Sequence, residues 1–188
     1  MKKEIIIFLD IDGVIATNNS IYDLWKEYMG EKPTTKFNEI LKRKNLPFIN
    51  TSMKYWPFDR NCISNIHKLQ LYFHEQGYIV NYVISSTWRI GRTIEELKDL
   101  FNIKGLYLTN IIGKTDRVRL HDSPRGKEIL QWLKDNDKEN SIYMVIDDDI
   151  NYDIIQYIDK KHCIKTEFKN GFNNKLLKET IEKIEKLL

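Results

Sequence analysis

Residues 4–9, EIIIFL, form a short run that is apolar and β-branched along most of its length, and it stops at Asp10-Ile11-Asp12-Gly13. A run this short, apolar on both faces, reads as a strand buried inside a sheet. Such a strand gains nothing from carboxylates at its end. Two of them close together repel, and each costs free energy to desolvate. A metal ion, a shared proton or a chemical task has to compensate. The stretch FLDIDGVIA therefore limits both the fold and the use made of it.

Two further runs have the same character: YIVNYVIS at 78–85 and SIYMVI at 141–146, with a weaker one, HCIKTE, at 162–167. Between them lie helical periodicities at 61–76, 93–101 and 125–135, and the tail from 173 places Leu177, Ile181, Ile184 and Leu188 on one face. Strands alternating with helices predict an α/β fold, a Rossmann-like parallel sheet in three layers with helices on both faces. In such sheets ligands bind beyond the carboxyl ends of the strands. Those ends carry the chemistry here. The first closes on Asp10 and Asp12, the second on Ser85, Ser86 and Thr87, and the third on Asp147, Asp148 and Asp149. Brought to one edge, the carboxylates need a hard cation with oxygen ligands, and Mg²⁺ is the expected one. Arg125 and Lys127, at the start of the helix before the third strand, would bring positive charge, with Arg89, Arg92 and Lys114 in reserve.

That set suits phosphoryl transfer. A phosphate dianion approaches an aspartate only when charge is neutralised, and hydroxyls and N–H groups can then hold its oxygens. One carboxylate can attack phosphorus, while a second protonates the leaving oxygen and later activates water. Gly13 lets the chain turn away sharply. A receiver-type switch also carries a phospho-aspartate. There the acidic pair ends the first strand and the phosphorylated residue lies on a later one, whereas here the DxD comes first and the DD last.

In this order the motifs resemble those of haloacid dehalogenase (HAD) superfamily phosphohydrolases: DxDG[TV] in Asp10, Asp12, Gly13 and Val14, a strand ending in Ser at Ser85, and an acidic pair at Asp147 and Asp148. The family pattern KGxxI falls on Arg125-Gly126-Lys127-Glu128-Ile129. The stretches VISSTWR, IIGKT, RGKEILQWL and VIDDD also resemble a small bacterial and phage subgroup, some of whose members are attached to RNA-repair enzymes. The resemblance implies Asp10 as nucleophile and Asp12 as general acid/base. It implies Mg²⁺ held by Asp10, the Asp12 main-chain carbonyl and Asp147 or Asp148. Ser85, with Ser86 as its rival, would bind the phosphoryl group together with Arg125 or Lys127. The implied activity is Mg²⁺-dependent hydrolysis of a phosphomonoester on a nucleotide or a nucleic-acid end. A sugar phosphatase and a phosphate-binding relative without turnover are the alternatives.

A single HAD-like domain is expected over 1–188, with a cap-like insertion at 18–60 where turn-forming residues break the rhythm and helical pieces fall at 20–29 and 36–45. Trp25, Tyr55, Trp56 and Phe58 cluster there, and residues 26–60 hold eight Lys/Arg against four Asp/Glu. Such a segment either packs on the core or stacks a nucleobase. Trp88 and Trp132 read as core. A net charge of +3 is too mild to mark a dedicated nucleic-acid binder, and 41% hydrophobic residues allow a real core. Cys62 and Cys163 read as small buried hydrophobes. The start, MKKEIIIFLD, has the basic-then-apolar order of a leader, but the apolar run ends after five residues. A cytoplasmic protein with no membrane partner is expected. The oligomeric state is left open.

Overall fold

The computed structural model describes residues 3–20, 57–117 and 124–188. Strand β1, Lys3–Leu9, lies at the centre, and Ile5 to Leu9 are fully buried. Helix α1 (Arg60–Glu75) leads into β2 (Tyr78–Ile84), and α2 (Ile94–Ile103) into β3 (Asn110–Lys114). Then α3 (Arg125–Asp135) leads into β4 (Ile142–Asp147), and β5 (Cys163–Lys165) precedes α4 (Asn174–Leu187). The five strands pair in parallel in the order β3-β2-β1-β4-β5. The order reverses beside β1, which makes the β1/β4 junction a topological switch point.

The period of two along β1 divides its side chains between two cores. Ile5, Ile7 and Leu9 meet α1, α2 and α4, while Ile6 and Phe8 meet Ile129, Trp132 and Leu133 of α3. Helices thus cover both faces, as expected from the alternation. Cys62 and Cys163 are buried and free. No described helix is long and apolar enough to cross a membrane.

Strand β3 is the element that the sequence reading lacks. It is an edge strand of five residues with alternating burial. Gly113 interrupts its apolar pattern because the Trp132 indole lies against it, and a Cβ there would come within 2.7 Å of Nε1. The weak run at 162–167 shrinks to the three residues of β5.

The expected helices at 20–29 and 36–45, and Trp25, Tyr55 and Trp56, lie outside the described residues apart from residue 20. The two described ends around that segment meet: the Ser20 hydroxyl donates to Pro57 O at 3.0 Å and the Asp59 N–H to Ile15 O at 2.8 Å. Phe58 is buried and packs on Trp88 and Phe101, with ring centroids at 5.4 and 6.0 Å.

Candidate active site

The β1/β4 register pairs Leu9 with Ile146, so Asp10 and Asp147 are the next pair along the same edge. The Asp10 N–H donates to Ile146 O at 3.0 Å, which holds them side by side. Both are almost wholly buried, and Asp148 is half-buried beside them. One carboxylate oxygen from each of Asp10, Asp147 and Asp148 lies within 4.8 Å of the others. Burial pushes the Asp10 carboxyl up to about 6, against the pull of Arg125 and a Ser86 hydrogen bond. Asp147 is driven well above the usual carboxylate range by burial and by the charge of Asp10.

Gly13 makes this crowding possible. It has φ +69°, and a Cβ there would lie 2.3 Å from an Asp148 carboxylate oxygen. The tight turn is closed by the Ile15 and Ala16 N–H groups, both donating to Ile11 O at 2.9 Å. The Asp12 carboxylate is outside the three-carboxylate set and is held instead by the Trp88 indole N–H, 3.0 Å from each of its oxygens.

The exit of β2 brings Ser85 and Ser86, both fully buried, to the same edge. The Ser85 hydroxyl is buried and makes no hydrogen bond among the described residues. Ser86 caps the 3-10 turn Thr87–Arg89 and bonds Asp10. Arg89, expected only as spare positive charge, is a buried clamp: Nη1 donates to Ser85 O (3.0 Å) and Ser86 O (2.7 Å), and Nη2 meets Glu128 at 2.5 Å. Arg92 and Lys114 also spend their charge on main-chain oxygens, those of Trp88 and Arg92.

The two candidate cations of α3 part company. Arg125 lines a cavity of about 190 Å³ together with Asp10, Asp12, Thr87, Asp147 and Asp148. Its Nη1 is buried and makes no hydrogen bond among the described residues, with the nearest Glu128 carboxylate oxygen 3.8 Å away, beyond hydrogen-bond reach. Lys127 instead puts Nζ over the Tyr157 ring, 5.2 Å from the centroid. Asp153 also lines the cavity and accepts the Arg125 main-chain N–H at 2.5 Å. That bond replaces the missing side-chain cap of α3, whose N-cap is Pro124. The sequence reading passed over Asp153. A helix that starts after proline without a capping side chain was the available clue.

The donor set is all oxygen, with three carboxylates close together and two of them buried, which fits a hard divalent cation. Protons and such an ion would compete for it. A carboxyl raised above its unfolded value keeps its proton longer in the folded state, so the stability it contributes falls as pH rises through the folded value. The metal needs the deprotonated set. Mg²⁺ should therefore raise Tm more at about pH 7.5 than at about pH 5. Thermal unfolding of wild type and Asp147→Asn, with and without Mg²⁺, isolates the effect. A Mg²⁺ shift independent of pH, or undiminished in the variant, would count against a metal here.

Among families of known proteins, the one described as "HAD domain in Swiss Army Knife RNA repair proteins" matches this chain over residues 6–177. No curated protein and no solved structure matches it.

Proposed function

We infer that this chain, which belongs to the family of HAD domains in Swiss Army Knife RNA repair proteins, is a phosphomonoester hydrolase working through a phospho-aspartate. The observation that carries this reading is charge placement. Buried carboxylates from β1 and β4 share one small cavity with Arg125, which keeps a buried N–H without a hydrogen-bond partner among the described residues. A buried guanidinium N–H lacking an acceptor costs free energy, and a phosphoryl oxygen would supply that acceptor. The Ser85 hydroxyl lacks a partner in the same way.

In this reading an Asp10 oxygen attacks phosphorus and the bond from phosphorus to the leaving oxygen breaks. Asp12, as the acid, gives that oxygen its proton. Asp12, now a carboxylate, then takes a proton from water as the water oxygen attacks phosphorus. Phosphate leaves and Asp10 is restored. Arg125, Ser85 and Ser86 hold the phosphoryl oxygens. A Mg²⁺ ion held by Asp10, Asp147 and Asp148 would neutralise charge between carboxylate and phosphate.

For the substrate we favour a nucleic-acid end, as the family description suggests. A groove of about 530 Å³ supports this, lined by Lys160, Lys165, Lys175 and Lys183 against Glu167 and Glu179. It adjoins the acidic cavity across the loop after β4, with Asn151 on the groove side and Asp149 on the cavity side. Lys165 is near enough to Asp148 to favour its charged form. Lys183 is already engaged, to Cys163 O at 2.7 Å and Glu179 at 3.0 Å, so Lys160, Lys165 and Lys175 are the ones to test.

The test is phosphate release, with Mg²⁺ and with EDTA. Its substrates are an aryl phosphate, 3′- and 5′-nucleotides, sugar phosphates and oligonucleotides phosphorylated at either end. Metal-dependent release favouring an oligonucleotide is expected. Preference for a sugar phosphate would overturn the substrate class, and no release at all would overturn the activity. Joint replacement of the three lysines by alanine should raise KM for the oligonucleotide. It should also flatten the logarithmic salt dependence, by about 0.7 for each backbone phosphate that a lysine neutralises in the wild type. The mononucleotide should be unaffected.

A further inference from the structure

We propose that Trp88 is a positioning residue that holds Asp12 out of the cation-binding carboxylates and aimed for proton transfer. The proposal rests on the phosphohydrolase reading and adds a residue to it. Trp88 is almost fully buried, and a buried indole N–H needs an acceptor. It takes both oxygens of Asp12, at 3.0 Å each. One hydrogen shared between two oxygens resists rotation of the carboxylate, since turning it moves one oxygen out of reach. Each oxygen still keeps a lone pair for a proton.

The indole itself is fixed. Its ring packs on Phe58 at 5.4 Å between centroids, and Lys104 Nζ lies over it at 5.6 Å. Its backbone sits in the turn that Arg89 clamps, the Ser86 hydroxyl accepts its N–H at 3.4 Å, and Arg92 Nη1 donates to its carbonyl at 2.8 Å. The donor's position is therefore set by its own surroundings, and Asp12 is held to it.

The consequence is a division of labour between Asp12 and three other carboxylates of the cavity. Asp10, Asp147 and Asp148 bring oxygens within 4.8 Å of one another, and Asp12 is not in that set. A carboxylate drawn into the set would be committed to the cation. Asp12, tethered to Trp88, remains available to a leaving oxygen. Losing the N–H should therefore harm the steps that move a proton and spare the steps that only bind phosphate.

That prediction separates substrates by leaving group. An alkoxide needs a proton to depart, and a nitrophenolate does not. Trp88→Phe should lower kcat/KM for a nucleoside 5′-monophosphate by about tenfold to a hundredfold. The loss on 4-nitrophenyl phosphate should be several-fold smaller. kcat/KM reports the first irreversible step, so the water-attack half-reaction does not intrude. Replacing Trp88 by 3-benzothienylalanine, which keeps the ring shape and lacks the N–H, should reproduce the split even if the phenylalanine variant is poorly folded. Independently of turnover, the Trp88 indole resonance in a ¹⁵N-labelled chain should vanish in Trp88→Phe and move in Asp12→Asn. Equal losses on both substrates, no loss on either, or a resonance indifferent to Asp12→Asn would overturn the proposal. Failure of the wild type on both substrates would overturn the underlying phosphohydrolase reading, a result distinct from a missing split.

Discussion

Asp10→Asn is expected to abolish phosphate release while leaving the metal-free protein at least as stable as wild type. The first half follows from the role proposed for Asp10 as nucleophile: the amide oxygen could not form the phospho-enzyme, and removing such a group lowers turnover by on the order of 10⁴-fold or more. The second half follows from burial. Asp10 is only 7% exposed, and burial already pushes its carboxyl up to about 6 in the face of Arg125. An asparagine of the same shape removes a charge that is poorly solvated and close to the raised carboxyl of Asp147. Stability without metal should rise at neutral pH, most clearly above the range in which wild-type Asp10 loses its proton. Activity and stability thus move in opposite directions, which separates this outcome from simple unfolding. Phosphate release and denaturant melts of the same two samples are the measurement. Turnover within tenfold of wild type would remove Asp10 from the chemistry.

The parts of this site that were legible in the sequence are those whose cause is local. Asp10, Ser85 and Asp147 each stand at the end of an apolar run, and a parallel sheet brings such ends to one edge whatever the intervening chain does. Strand β3 has no such run: it is half-exposed, and its Gly113 is explained only by the Trp132 ring from another element. Trp88 read as core, and it is buried, but its indole N–H belongs to a residue 76 positions away. The choice between Arg125 and Lys127 was open because their spacing does not say which side of α3 meets the cavity. Arg125 lines it, and Lys127 lies on Tyr157. Arg89 read only as spare positive charge for that edge. Its burial against Glu128 could not be read from spacing alone.

Breaking that Arg89–Glu128 pair is the largest stability change we expect. Arg89 joins three segments at the carboxyl edge: Nε donates to Thr115 O just after β3, Nη1 to Ser85 O and Ser86 O just after β2, and Nη2 to Glu128 of α3. Both side chains are 4% exposed. Burial and the charge of Arg125 draw the guanidinium down to about 10, with Glu128 opposing them, so Arg89 stays charged at neutral pH. Glu128→Ala leaves that charge buried beside Arg125, which already repels it, and should cost about 3–5 kcal/mol. Against a typical total of about 5–15 kcal/mol, the urea midpoint should fall steeply with little change in slope. Arg89→Lys should rescue little, because a single ammonium cannot reach the carbonyls of two segments and the Glu128 carboxylate of a third from the positions of a planar fork. Arg89→Met combined with Glu128→Leu should lose clearly less than the two single losses added together, since Arg89 and Glu128 are then removed as a pair and only the longer 3.8 Å contact of Glu128 with Arg125 is lost besides. The double variant should still turn over poorly. Its apolar pair fills the space, but nothing ties the Ser85 and Ser86 carbonyls to α3, and the hydroxyls proposed to bind phosphate would lose their fixed distance from Arg125. Additive losses would show that the two residues act separately. A double variant with wild-type turnover would show that the clamp serves the fold alone.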